Sequence, residues 1–411
     1  MLITRLLANQ RLEQLFNLLI DSVHSIALDN CGTRQNIKGL KLMQHHLLAI
    51  LALCATPIIA NAQQYELIDI SGGNLYSLAY AINNSGQIAG ESSDGEINFA
   101  FRWDNLTGMT SLFLSDTLGF GINNEGQVTI PKGPMIWDAA TGNTLLHSLE
   151  SNPNGSCSAW DINDNNLVAG SCQDENSHQV AVAWNGSGYA IKINDIPQSD
   201  YATARSLNNN GQIIGRFKSG ANYNGFVTNG SGEFTEIISP EGSAYPEAIN
   251  EAGDVVGYGK AISQPQAFLW TKTNGFMNLG TLSGSSKSCA LDINASGQIV
   301  GSSGQIYDCG ESSSGGRAVI WENGILYDLN DLVVSGLSDG DSLNVAWGIN
   351  DSGQITGIGR IGGKTTAYLL NPIEDPVQPN SCATTPFVLL SFTGLVGFCR
   401  RFGRSYKKCL H

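Results

Sequence analysis

The stretch Ile82-Asn83-Asn84-Ser85-Gly86-Gln87-Ile88-Ala89-Gly90 is written seven times, with variations, along this chain. It returns as INNEGQVTI from Ile122, INDNNLVAG from Ile162 and LNNNGQIIG from Leu207. It returns again as INEAGDVVG from Ile249, INASGQIVG from Ile293 and INDSGQITG from Ile349. The shared asparagines are Asn83, Asn123, Asn163, Asn208, Asn250, Asn294 and Asn350, spaced by 40, 40, 45, 42, 44 and 56 residues. A period of about 40–45 residues is that of a four-stranded propeller blade.

Each copy predicts a β-hairpin. The residue before the asparagine is Ile or Leu, and the fifth residue after it is Ile or Val. Branched apolar residues of this kind suit a pleated, half-buried surface. Between them, Gly stands three after the asparagine in six copies and Asn166 replaces it in the third. Gly and Asn are the residues that accept positive φ, as the last position of a three-residue hairpin loop requires. The repeated asparagine reads as a turn former whose side chain bonds nearby backbone. A ring of seven asparagine ligands is the rival reading.

Four residues before each asparagine stand Ala79, Gly119, Ala159, Ala204, Pro246, Ala290 and Ala346; two before stand Ala81, Gly121, Asp161, Ser206, Ala248, Asp292 and Gly348. Alternate residues share a strand face, so this face is narrow, as the innermost strand of a blade near the axis requires. After the hairpin comes a third apolar strand ending at Trp103, Trp137, Trp184, Trp270 or Trp321, with Thr228 and Leu370 in the two remaining copies. A tryptophan at a fixed place in a repeat is expected in the core, where it removes a large apolar area from water. A fourth strand follows six of the seven, as in GMTSLFL or GEFTEII. The missing one is supplied at the other end by Tyr65–Ile70, which precedes the first hairpin without one of its own. The expected fold is therefore an all-β, seven-bladed propeller over 63–371, closed by its N-terminal strand so that no sheet edge is left open. An open β-solenoid with capped ends is the alternative.

Outside the repeats, 43–62 reads as a signal peptide, with an apolar run and Ala60-Asn61-Ala62 before Gln63. Residues 1–42 read as an upstream start or as an extension in which Leu6–Leu19 forms a helix. Residues 372–385 form a proline-containing acidic linker, and 386–411 pair a short apolar run with Arg400, Arg401, Arg404, Lys407 and Lys408. That tail predicts either a C-terminal membrane anchor with a cytoplasmic basic end or a temporary sorting signal handled by export and tail-processing machinery.

Between 63 and 379 there are 12 Lys+Arg and 33 Asp+Glu, a net of −21. Such a surface repels phosphate backbones, so nucleic acid is not an expected partner. The repeat region holds four cysteines, each pair bracketing one hairpin, and an exported compartment allows Cys157–Cys172 and Cys289–Cys309 to oxidise. A turn centred on Asp164-Asn165 sets Cys157 opposite Cys172; a three-residue loop sets them diagonal by one. Separations of 15 and 20 lack the close Cys-x-x-Cys knuckle of a zinc site.

The combined pattern resembles the extracellular HAF repeat family. The likeness rests on Ala267-Phe268-Leu269-Trp270 with Gln266 where that family has His, on Ala248-Ile249-Asn250 and on Asp254-Val255-Val256-Gly257. The resemblance implies a bacterial, exported protein, often tailed by a sorting signal, and it transfers no catalytic residue.

His147 and His178 are the histidines between 63 and 379, and neither lies in a nucleophile motif. No catalytic residue is assigned. No cofactor is expected beyond calcium, a hard cation that prefers oxygen, for which Asp161 with Asp164 and Asp339 with Asp341 are the candidates against a plain solvated loop. The expected function is a non-catalytic, cell-surface or secreted propeller that binds glycan, polymer or protein. The alternatives are an extracellular carbohydrate-active hydrolase or lyase working through funnel carboxylates, and a structural matrix component.

Overall fold

The computed structural model describes residues 62–373 apart from 115–116, 187, 230, 241, 262–263, 305–308 and 310–314. The expected signal peptide (apart from Ala62), the N-terminal extension, most of the linker and the C-terminal tail lie outside these residues. Among the described residues no helix is long and apolar enough to cross a membrane.

Seven antiparallel sheets, one per repeat, form a propeller. Blade 4 is the plainest: Ala202–Leu207, Ile213–Ser219, Asn222–Thr228 and Phe234–Ile237 follow one another from the inside outward. The ring closes as the sequence predicts. Tyr65–Asp69 pairs antiparallel with Lys364–Pro372, setting Tyr65 opposite Pro372 and Asp69 opposite Tyr368. Blade 7 is thus built from both ends of the repeat region, and Val333–Ser335 adds a fifth, parallel strand outside Tyr65–Asp69. Blade 3 carries a similar outer strand, His147–Leu149.

The core lies between blades. Apolar clusters straddle successive sheets, such as Ile214, Val227 and Ile237 of blade 4 with Ala244, Ile249, Val255, Phe268 and Trp270 of blade 5. The cluster that joins the last blade to the first sets Ala367 and Leu369 against Ala79, Ile82, Ile88 and Phe101. Trp103, Trp184, Trp270 and Trp321 are all buried. Each fully buried large apolar side chain contributes about 1.5–3 kcal/mol relative to exposure.

The repeated asparagines do more than shape turns. Each Oδ1 accepts the backbone N–H four residues on, at 2.9 Å for Gln87 and 3.0 Å for Gln212, which fixes the loop. Each Nδ2 then donates to the backbone carbonyl of the next blade's asparagine. The bonds run Asn83 to Asn123 (2.8 Å), Asn123 to Asn163 (3.2 Å), Asn163 to Asn208 (2.9 Å) and Asn208 to Asn250 (3.0 Å). They continue Asn250 to Asn294 (3.4 Å), Asn294 to Asn350 (3.1 Å) and Asn350 back to Asn83 (3.0 Å). All seven asparagines are buried. The circle consumes their amide groups in holding the blades together, so they are staples and not a set of ligands.

A second circle lies one residue further along. The backbone N–H of Asn84 donates to Asn124 Oδ1 (2.9 Å), that of Asn124 to Asp164 Oδ1 (2.8 Å) and that of Asp164 to Asn209 Oδ1 (2.8 Å). Asn209 donates to Glu251, Ala295 to Asp351 and Asp351 back to Asn84. The one gap falls where Ala295 offers no acceptor to blade 5. The loop glycines sit at positive φ, from 74° at Gly86 to 83° at Gly253, and Asn166 matches them at 60°.

Six inner strands also carry a β-bulge, at the residue three before the asparagine. The pairing skips between Ala79 and Ala81, Ala159 and Asp161, Ala204 and Ser206, Pro246 and Ala248, Ala290 and Asp292, and Ala346 and Gly348. The bulge explains the final glycine of the motif. A Cβ on Gly257 would overlap the Tyr245 carbonyl oxygen and lie 2.9 Å from Pro246 Cα. Copy two has Ile130 in that place. There the inner strand is not a regular ladder: beside the bridge Ile122–Val128, Thr129 N donates to the Gly121 carbonyl and Phe120 N to the Thr129 carbonyl, and Thr129 Oγ1 accepts the Gly121 N–H at 2.9 Å. Blade 2 therefore has three strands, Val128–Ile130, Met135–Asp138 and Gly142–Leu145, where four were expected.

The bulge also decides the cysteine register. The loop of copy three is the three-residue kind, with Ile162 opposite Val168, and alone it would leave the cysteines diagonal. The extra residue, Trp160, shifts the pairing by one and sets Cys157 opposite Cys172, where they are joined as a disulfide. A second disulfide links Cys289 to Cys309.

Two variants test this frame. Gly257→Ala is expected to lower unfolding free energy by about 1–3 kcal/mol through overpacking against backbone, read from the urea midpoint at unchanged slope. Asn208→Ala strands the Gln212 amide and the Asn250 carbonyl, at a cost of about 1–3 kcal/mol for each group left unsatisfied. A variant as stable as the parent would mean that water replaces the amide without loss.

Candidate functional site

At the end of the axis opposite the asparagine circles the inner strands widen into a cavity of about 580 Å³. Part of its wall is built from the bulged residues. A bulge re-aims the side chain it carries, and here Tyr80, Trp160, Arg205, Glu247 and Trp347 come from bulges, with Phe120 at the equivalent place in blade 2. The seventh, Leu291, packs in the cluster that holds Val345, Trp347 and Tyr80. The position is the most variable of its strand in size and charge, holding Tyr, Phe, Trp, Arg, Glu, Leu and Trp in turn. Sequence reasoning missed it because strict alternation puts it on the same strand face as the buried Ile before the asparagine.

The aromatic residues form a continuous surface. The Tyr80 ring stacks on Phe120 at 5.3 Å and meets Trp347 edge-on at 5.4 Å, while Phe120 meets Trp160 edge-on at 5.4 Å. Arg205 lies over Phe120 at 4.5 Å and Trp160 at 5.5 Å, and its Nε donates to Glu247 Oε2 at 2.6 Å. Arg216, from the second strand of blade 4, lies 5.1 Å from the Tyr245 ring and reaches the Tyr201 hydroxyl at 3.5 Å. Burial and the Glu247 charge push the Tyr258 hydroxyl above its usual range. Trp347 is 8% exposed, and its Nε1 has no hydrogen-bond partner among the described residues. Gln179 and Thr203 add polar groups to the wall.

The residues named from the sequence fall elsewhere. Asp161 stands two before its asparagine and is half-buried. Its Oδ2 accepts from Ser206 Oγ at 2.7 Å and Leu207 N at 3.3 Å, and its Oδ1 from Ile162 N at 2.9 Å. Asp164 accepts from Asn124 N, Asn124 Nδ2 and Asn209 Nδ2 at 2.8–2.9 Å. These two aspartates therefore act as blade-to-blade ties. Asp341 accepts from Ser338 N at 3.0 Å and Gly362 N at 2.8 Å, and Asp339 is exposed beside it. Among the described residues no three His, Cys, Asp or Glu side chains gather as a metal site. His147 packs against Tyr189 at 5.5 Å on the outer part of blade 3, and His178 lies 4.0 Å from Asp174.

Asp292 is the counterpart of Asp161 in blade 6, accepting from Ile349 N of blade 7 and from Ile293 N, both at 2.8 Å. Burial raises both carboxyls, and Asp292 is pushed up to about 7. An unfolded aspartate titrates near 4. A folded value above that makes the group favour folding fully below pH ~4 and lose this contribution as pH rises through about 7. The stability of Asp292→Ala, which installs the residue copies one and five already have, is expected to fall less than the parent's between pH 5 and pH 8. Parallel pH profiles of Tm for parent and variant would contradict the assignment.

No protein-family model matches the chain, and no curated protein matches it in sequence. Solved structures match it as a fold. A streptogramin B lyase is 12% identical, with a TM-score of 0.50, over 75% of this chain and 98% of that one. The β-propeller domain of the Trilobed protease from Pyrococcus furiosus is 11% identical, with a TM-score of 0.46, over 77% and 100%. A catalytically inactive virginiamycin B lyase from Staphylococcus aureus with quinupristin is 11% identical, with a TM-score of 0.42, over 75% and 100%. The likeness to the first of these bears on the architecture alone, which the seven sheets show directly: residues 65–372 form a seven-bladed β-propeller.

Proposed function

We propose that this chain is an exported, non-catalytic propeller that binds a glycan in its axial cavity. The observation behind this reading is the ring of bulged residues, in which four aromatic side chains meet one another beside an Arg–Glu pair. Sugars present apolar C–H faces that pack on aromatic rings and hydroxyls that exchange hydrogen bonds with charged and amide groups. Among the described residues Glu247 is the one carboxylate of the cavity wall and is held by Arg205, whereas glycoside hydrolysis ordinarily uses two carboxylates across the scissile bond.

Export is supported by the two disulfides, which fit an oxidising compartment, and by the Ala60-Asn61-Ala62 site. The likeness to HAF repeats and the basic, apolar tail fit display at a cell surface or release from it. Trp160→Ala is expected to weaken binding of a cognate oligosaccharide by about tenfold or more, a change of about 1.4 kcal/mol, with the melting temperature little altered. A glycan array identifies the oligosaccharide and titration calorimetry measures the change. Products released from the bound oligosaccharide would move the protein to the enzymes, and an array without signal would remove the glycan reading.

A further inference from the structure

Resting on the glycan reading, we infer that the saccharide held in the axial cavity carries a carboxylate. The segment 63–379 has a net charge of −21 and only 12 Lys+Arg. Two of those cations, Arg205 and Arg216, stand in the wall of one cavity, facing, among the described residues, a single carboxylate, Glu247. An interior wall with surplus positive charge is the reverse of the rest of the molecule.

The surplus is concentrated in N–H donors. A guanidinium offers five, and Glu247 engages only the Nε of Arg205. Arg216 has one long hydrogen bond, 3.5 Å to the Tyr201 hydroxyl, and forms no ion pair among the described residues. Both arginines are partly buried and laid on aromatic rings, which orients their planes. Arginine held this way suits bidentate recognition of a planar carboxylate, which compact lysine does not. Partial burial raises the worth of that contact above what it has in open water. Tyr80, Phe120 and Trp160 then take the apolar faces of the ring.

The test compares uronate oligomers of the alginate type with the same oligomers whose carboxyl groups have been reduced to primary alcohols. Titration calorimetry on the full repeat region is expected to give at least tenfold tighter binding of the acidic form. On Arg216→Gln the two forms are expected to bind within about twofold of each other. Arg216→Lys, which keeps the charge and loses the fork, is expected to fall between. Melting curves of both variants establish that they are folded. Equal affinity of the parent for acidic and reduced oligomers would overturn the inference and leave the glycan reading standing. So would a preference unchanged in Arg216→Gln. Binding of neither form, with Trp160→Ala matching the parent on a full array, would overturn the glycan reading itself.

Discussion

The fold depends on one hydrogen bond made seven times: an asparagine side-chain N–H reaching the main-chain oxygen of the next blade's asparagine. Apolar burial between blades is the larger energy, but it is non-directional and would accept blades that slide or tilt. The amide bond is directional and short, and it is buried, so leaving it unmade is costly. It links the turn of one blade to the turn of the next, and because the same side chain also fixes its own loop, local and long-range order are set by one residue. The bond from Asn350 to Asn83 spans 267 residues of sequence and is equivalent to those between neighbours. Closure by the Tyr65–Asp69 strand at the rim and closure by this bond near the axis therefore require the same number of blades.

The glycine that ends the motif belongs to the same logic. It leaves room for the carbonyl that the bulge turns toward the second strand, and where Ile130 stands instead the regular inner strand is lost. That blade still keeps its asparagine bonds on both sides, at 2.8 Å from Asn83 and 3.2 Å to Asn163. The staple and the bulge are thus separable: the first holds the ring, the second shapes its lining.

Much of this was legible in the sequence. The spacing of the asparagines, the Ile and Val around them, the buried tryptophans and the offset between the two ends led to seven blades and to the closing strand. The small residues two and four before each asparagine marked a crowded face, and Gly121 shows why, since a Cβ there would lie 2.8 Å from Asp161 Cα of the neighbouring blade. The cavity was not legible. Tyr80, Phe120, Trp160, Arg205, Glu247, Leu291 and Trp347 share no residue type, and a period of two gives them the wrong face. In six blades a bulge, a backbone irregularity specified jointly by the strand and by a glycine ten residues downstream, re-aims them, and Phe120 reaches the same place without that glycine. The aspartates considered for calcium had the opposite fate: their carboxylates are occupied by main-chain and side-chain donors of adjoining repeats.

Because the lining residue of each blade sits outside the ladder, its identity is almost free of the demands that fix its neighbours. Seven seats filled by side chains from leucine to arginine on one unchanging chassis let the lining vary while the frame stays the same. Repeats with the same hairpin and a different occupant in that seat would differ in what they recognise while folding alike. Duplication and drift of a single 40-residue unit could then diversify specificity one blade at a time.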